Sequence, residues 1–226
     1  MSFIRLYFSA VFFFLSSTAN AALIFSEYVE GSSYNKALEI FNVGNTVDFN
    51  SDRYAIEIYT NGSLTPSYSM HLTGVVQNNS TFVVGNSRAG DQILSVADQL
   101  SGSLNFNGDD AIVLTQNGVI IDRIGQIGFD PGTEWGTGVT STQDNTLRRQ
   151  AEVVLGDVDA FAAFDPIMEW SGYAQNTFAD LGLHSIYTVP VTDASQPVSV
   201  PAPGTFILML AGMLGLLATQ RKVPTL

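Results

Sequence analysis

The chain has 226 residues, 21 of them acidic and nine basic, a formal net charge of −12 and no cysteine. This balance disfavours polyanionic partners, because nucleic-acid affinity rests on basic groups that neutralise phosphates. The missing thiols exclude disulfides, thiol nucleophiles and zinc–thiolate sites, so a domain of this composition has to be held by its core, for which ~165 residues suffice.

The first segment is an address. Arg5 precedes a ten-residue apolar run (LYFSAVFFFL, 6–15), and Ala19-Asn20-Ala21 supplies the small residues a signal peptidase accepts. The run is too short to span ~30 Å of hydrocarbon. Residues 1–21 are therefore read as a signal peptide, and the mature chain is expected to start at Ala22.

A folded domain is expected over 22–187. All 21 acidic residues lie between Ala22 and Val200, against six basic ones, a net of −15. The pattern is one of short alternating runs. Leu38 and Ile40 alternate with Glu39 and Phe41. In YAIEIY (54–59), Tyr54, Ile56 and Ile58 share one face and Ala55, Glu57 and Tyr59 the other. Period-two alternation predicts strands with one buried face, and further strands are expected at 23–29, 68–72, 81–84, 111–115 and 119–124. Asn117-Gly118 separates two of these runs and accepts the positive φ angles of a type I′ turn, which predicts a hairpin. Asn61-Gly62 and Asn107-Gly108 mark other turns. Many short strands, 20 glycines and no long amphipathic helix point to an antiparallel β-sandwich.

One motif occurs twice: FDPGTEW (129–135) and FDPIMEW (164–170). Asp before Pro is a helix-start signal, since Asp caps and Pro at the first position loses no needed hydrogen bond. The plain reading is two short helical turns, each pinning a Trp against the sandwich. The sharper reading is a binding pair, with Trp135 and Trp170 as platforms and Glu134 and Glu169 as polar partners.

Residues 188–200 (TVPVTDASQPVSV) lose the alternation and read as an extended linker. Residues 201–226 form a second address. A 17-residue apolar run (203–219) is followed by Arg221 and Lys222. At ~1.5 Å per residue it reaches about 25 Å, the short end of a membrane span, with its basic flank placed as the positive-inside tendency expects.

Little in the chain carries chemistry. The two histidines, His71 and His184, stand without a G-x-S-x-G elbow, and neither H-E-x-x-H nor a phosphate-binding glycine loop occurs. Asp157, Asp159 and Asp165 put three carboxylates in nine residues, a weak candidate for calcium, whose ligands are oxygens from such loops. The plain reading is a solvated acidic loop, and no cofactor is expected. Arg148-Arg149, the one basic pair of the domain, is a candidate for binding phosphate or carboxylate, although such arginines more often pair with nearby acids such as Asp144 or Glu152.

Taken in order, NKALEIFN (35–42), LNFNGDDAIVL (104–114) and NGVIIDRIG (117–125) resemble the lamin tail domain. The later DNTLRR (144–149), FDPIMEW and LGLHS resemble its longer bacterial version, often found ahead of secreted nucleases. The resemblance implies an immunoglobulin-like β-sandwich acting as a non-catalytic binding or tethering module, with no catalytic residues to transfer. The tail resembles a PEP-CTERM sorting signal in Val200-Pro201-Ala202-Pro203, the short span and Arg221-Lys222, with Ala202 where the usual motif has Glu. That likeness implies export by a Gram-negative, exopolysaccharide-making bacterium and an exosortase-type enzyme that removes or replaces the tail.

The expected function is a non-enzymatic binding or scaffolding module. It would pass through an inner-membrane intermediate to the cell envelope, surface or matrix, with exopolysaccharide or another surface protein as partner. The alternative is an accessory to extracellular nucleic-acid degradation that binds DNA weakly or recruits a nuclease. A degenerate hydrolase using His184 is a third reading.

Overall fold

A computed structural model describes residues 23–187. The predicted leader (1–21, with Ala19 and Ala21), the linker (188–200), and the tail (201–226) lie outside the described residues. So do the sorting-motif residues Val200, Pro201, Ala202, Pro203, Arg221 and Lys222 and the 203–219 run.

In chain order the strands are β1 (Leu23–Glu30), β2 (Lys36–Asn42), β3 (Val47–Asp48), β4 (Tyr54–Tyr59), β5 (Tyr68–His71), β6 (Val75–Val76), β7 (Thr81–Asn86), β8 (Gln99–Ser101), β9 (Ala111–Gln116), β10 (Val119–Ile124), β11 (Gly136–Thr137), β12 (Thr140–Ser141), β13 (Asn145–Arg149) and β14 (Trp170–Ala174). Two single-turn helices, α1 (Phe49–Asp52) and α2 (Asp91–Leu94), and a 3-10 turn at Pro166–Met168 interrupt them. Among the described residues no helix is long and apolar enough to cross a membrane.

The strands form an all-β sandwich. One sheet runs β14-β13-β1-β2-β7-β8 and the other β10-β9-β4-β5, with the two-stranded pairs β3-β6 and β11-β12 beside them. The β9–β10 hairpin turns at Asn117 (φ 52°) and Gly118 (φ 78°), the left-handed pair a type I′ turn needs. Between the sheets Phe25, Tyr28, Leu38, Ile40, Ile56, Ile112, Leu114, Leu147 and Trp170 form one buried core. Each large side chain there contributes roughly 1.5–3 kcal/mol by leaving water.

Two expectations are corrected. The sandwich is not wholly antiparallel, because β8 returns beside β7 in parallel after the α2 crossover. Nor does each strand keep one wet face: β1 and β2 are buried along their whole length. The outer face of the six-stranded sheet carries Val29, Ala37 and Val83 beneath Ile93 of α2 and Leu181 of a C-terminal strap, residues 177–187. The outer face of the four-stranded sheet carries Tyr59, Ala111 and Val113 beneath Ile127, Trp135 and Ala160. Loops acting as outer layers put Glu39, the polar partner in an alternating strand, fully out of solvent.

Candidate functional site

The strap covers a row of charged residues that crosses the six-stranded sheet. Glu39 on β2 stands opposite Glu27 on β1, which stands opposite Arg148 on β13, which stands opposite Ser171 on β14. A register shift between Phe25 and Glu27 turns Ser26 toward this row, and its Oγ donates to Glu39 Oε1 at 2.6 Å. The strap closes the arrangement: Gly182 N donates to Glu39 Oε2 at 2.6 Å, and Thr81 Oγ1 donates to Gly182 O at 2.9 Å. Arg148 lies over the Tyr173 ring at 4.2 Å, donates through Nε to Glu27 Oε2 at 3.2 Å and through Nη1 to Asp180 Oδ2 at 2.5 Å.

Two carboxyls facing each other out of water cannot both ionise cheaply. Burial pushes Glu27 up to about 8, against the pull of Arg148 and with Glu39 adding to the rise. Burial likewise raises Glu39, although Ser26, Gly182 and Leu183 donate to it. Glu27 therefore holds a proton at neutral pH.

His184 packs edge-on against Phe41 with centroids 4.8 Å apart, and its buried Nε2 has no hydrogen-bond partner among the described residues. Burial lowers its pKa, and the Arg149 charge adds to this. Two depressions flank it. A cavity of about 250 Å³ is lined by Glu27, Arg148, Tyr173 and Asp180, and an open groove of about 600 Å³ by Asn79, Ser80, Thr81, Gly182 and Ser185.

A second cluster ties the sandwich edge. Asp122 on β10 accepts from Phe25 N at 2.7 Å, from Asp157 N at 2.9 Å and from Arg149 Nη2 at 3.0 Å, with both side chains of the Asp122–Arg149 pair fully buried. Arg149 also reaches Glu169 at 3.3 Å and lies over the Trp170 ring at 4.6 Å. Arg123 pairs with Asp157 at 2.6 Å and donates to the carbonyls of Gly125, Ala162 and Ala163.

The candidates read from sequence fall as follows. Arg148 and Arg149 point to opposite faces of β13, so they form no joint anion site, and their partners are Glu27, Asp180, Asp122 and Glu169 rather than Asp144 or Glu152. Trp135 and Trp170 are not platforms, since both rings are buried, one over the outer face of the four-stranded sheet and one between the sheets. Only the second motif copy makes a helical turn. Asp165 caps Ile167 N there, whereas in the first copy Gly132 adopts φ 92° and Asp130 accepts from its N–H, closing a turn that does not continue. The copies nevertheless meet, with Phe164 of the second edge-on to Trp135 of the first at 6.1 Å. Glu134 is half-buried. Asp157 is engaged by Arg123, while Asp159 and Asp165 accept from Phe161 N and Ile167 N. Among the described residues no group of three or more acidic or His side chains is placed to hold a metal ion.

Fold and site together define an all-β sandwich, in keeping with immunoglobulin-like architecture, whose buried charges face one another. The family model of the lamin tail domain matches residues 16–128, half of the chain, and the protein belongs to that family of non-catalytic domains. No curated protein and no solved structure matches the chain. The match ends before β13 and β14, which are hydrogen-bonded members of the main sheet.

Glu27, Glu39, Asp122 and Asp180 were not visible as site residues in the sequence. Glu27, Glu39 and Asp180 each stand alone among apolar or small neighbours and Asp122 adjoins Arg123, and only the placement of β1, β2, β10 and β13 and the path of the strap bring them to Arg148 and Arg149.

Proposed function

We propose that the protein is an exported, non-enzymatic binding or scaffolding module. Its tail first holds it at the membrane and then directs it to the cell surface or the exopolysaccharide matrix. The observation that carries binding over catalysis is the commitment of its ionisable side chains to one another, Arg149 with Asp122 and Glu169, Arg148 with Asp180 and with the protonated Glu27. Surface left for recognition includes the open groove beside the strap, whose amide, hydroxyl and imidazole groups from Asn79, Ser80, Thr81, His184 and Ser185 suit a polyhydroxylated ligand such as a polysaccharide. The accessory role in nucleic-acid breakdown gains no support here, since its basic pair is engaged internally.

The test is calorimetric titration of the protein with exopolysaccharide from its own cells. Binding without change in polymer length, weakened by Asn79→Ala or His184→Ala, is the expected result. Turnover of the polymer, or binding indifferent to both substitutions, would contradict it.

A further inference from the structure

The chain between β13 and the 3-10 turn, residues 150–165, is tied along the β10 side of the sandwich. Besides the Asp157 contacts, Ile127 N donates to Ala160 O at 2.7 Å and Gln126 Nε2 to Phe161 O at 2.8 Å. Its backbone is fixed, yet large apolar side chains on it and on the turn face water. Leu155, Val158, Phe161, Ile167 and Met168 are between 61% and 74% exposed, and Val154 is 36% exposed. These six are a third of the 18 exposed large hydrophobics among the described residues, gathered in 15 consecutive positions. Scattered exposed apolar residues need no explanation, but six of them on one tied segment of the chain do.

The place where the chain leaves the domain bears on what covers this surface. Tyr187 N donates to Ala151 O at 2.8 Å, so the last described residue sits at the base of the apolar segment. Fifteen residues (188–202) separate it from the apolar run beginning at Pro203. Whatever their conformation, they span no more than about 50 Å.

We propose that residues 154–168 form a lipid-contacting element that seats the domain on the membrane surface. The proposal rests on the reading that 203–219 enters a membrane. A tethered second contact needs little intrinsic affinity, because the anchor supplies its effective concentration. The charge pattern selects the headgroup. Asp157 and Glu169 are paired with arginines, Glu152, Asp159 and Asp165 form no ion pair among the described residues, and no Lys or Arg occurs in the sequence between Arg149 and Arg221. The surface therefore suits zwitterionic lipid and is repelled by anionic lipid.

The absence of cysteine allows a single label. The full chain carrying Val158→Cys with an environment-sensitive fluorophore is mixed with phosphatidylcholine vesicles containing spin-labelled lipid. Flotation reports the tail, and quenching reports the segment. Leu100→Cys serves as control, on β8 at the edge of the six-stranded sheet opposite β14. Flotation with at least twofold quenching at V158C, none at L100C, and loss of quenching but not of flotation on adding Leu155→Asp and Phe161→Asp is the expected result. Flotation without quenching at V158C overturns the inference and leaves the tail reading standing. Absence of flotation overturns both, and equal quenching at the two positions means general adsorption and also overturns it.

Discussion

Glu27 lies directly across from Glu39 on the neighbouring strand, and both carboxyls are buried. Like charges opposed in a sheet are destabilising, and here the conflict is relieved by three means. Glu27 keeps its proton, Glu39 takes hydrogen bonds from Ser26 and from Gly182 of the strap, and Arg148 stands at the end of the row. The acid pair and the strap thus depend on each other, because the strap keeps water from the carboxyls and one carboxyl holds the strap.

This arrangement predicts a pH dependence. The folded-state pKa of Glu27, about 8, lies above its unfolded value of 4.5. The native state binds the extra proton between these values, so the stability contributed by Glu27 is fully present below pH ~4.5 and is lost as pH rises through about 8. Thermal melts from pH 5 to 9 are expected to show that Glu27→Gln, which keeps the neutral shape, gains on the wild type toward pH 9. The gain should be about 1 kcal/mol or more, or 2–4 °C in a domain of this size.

The Asp122–Arg149 pair is wholly buried, and removing one partner strands a charge. Asp122→Ala and Arg149→Ala are each expected to cost about 3–5 kcal/mol in urea unfolding. The double variant should cost clearly less than the sum of the two, as it does for residues in one network.

Two glycines separate crowding from backbone strain. A Cβ on Gly172 of β14 would overlap the Val139 carbonyl at the β11–β12 turn, so Gly172→Ala is expected to cost about 3 kcal/mol. Gly118 has open space around it and only its φ of 78° to answer for, so Gly118→Ala should cost about 1–2 kcal/mol. Chemical denaturation of the two variants checks the order.

Both tryptophans are buried, although the indole N–H of each has no hydrogen-bond partner among the described residues. Emission is expected to be blue-shifted, resistant to acrylamide, and unchanged when polysaccharide occupies the strap groove. A ligand-induced change in emission would restore the platform reading.

Much of the sandwich was legible because its strands announce themselves by alternation. YAIEIY is β4 as predicted, and Asn117-Gly118 joins β9 to β10. β13 was not legible, because NTLRR offers only Leu147 as an apolar inward residue and its arginines look like a surface site. Their burial is decided by Asp122, Glu27 and Asp180, residues 27 or more positions away. The motifs of the domain read as binding signals for a similar reason. They are one another's structural partners, and a linear pattern does not distinguish an arginine waiting for a ligand from one already paired.

The most direct measurement is the intact mass of the protein recovered from the cells that make it. The account predicts a chain starting at Ala22, shortened near Pro201–Pro203 and carrying a heterogeneous adduct from the surface or matrix. A chain beginning at Ala22 but still running to Leu226 would contradict sorting and leave a plain membrane anchor. A chain that kept Met1 and the apolar run after Arg5 would contradict removal of the leader.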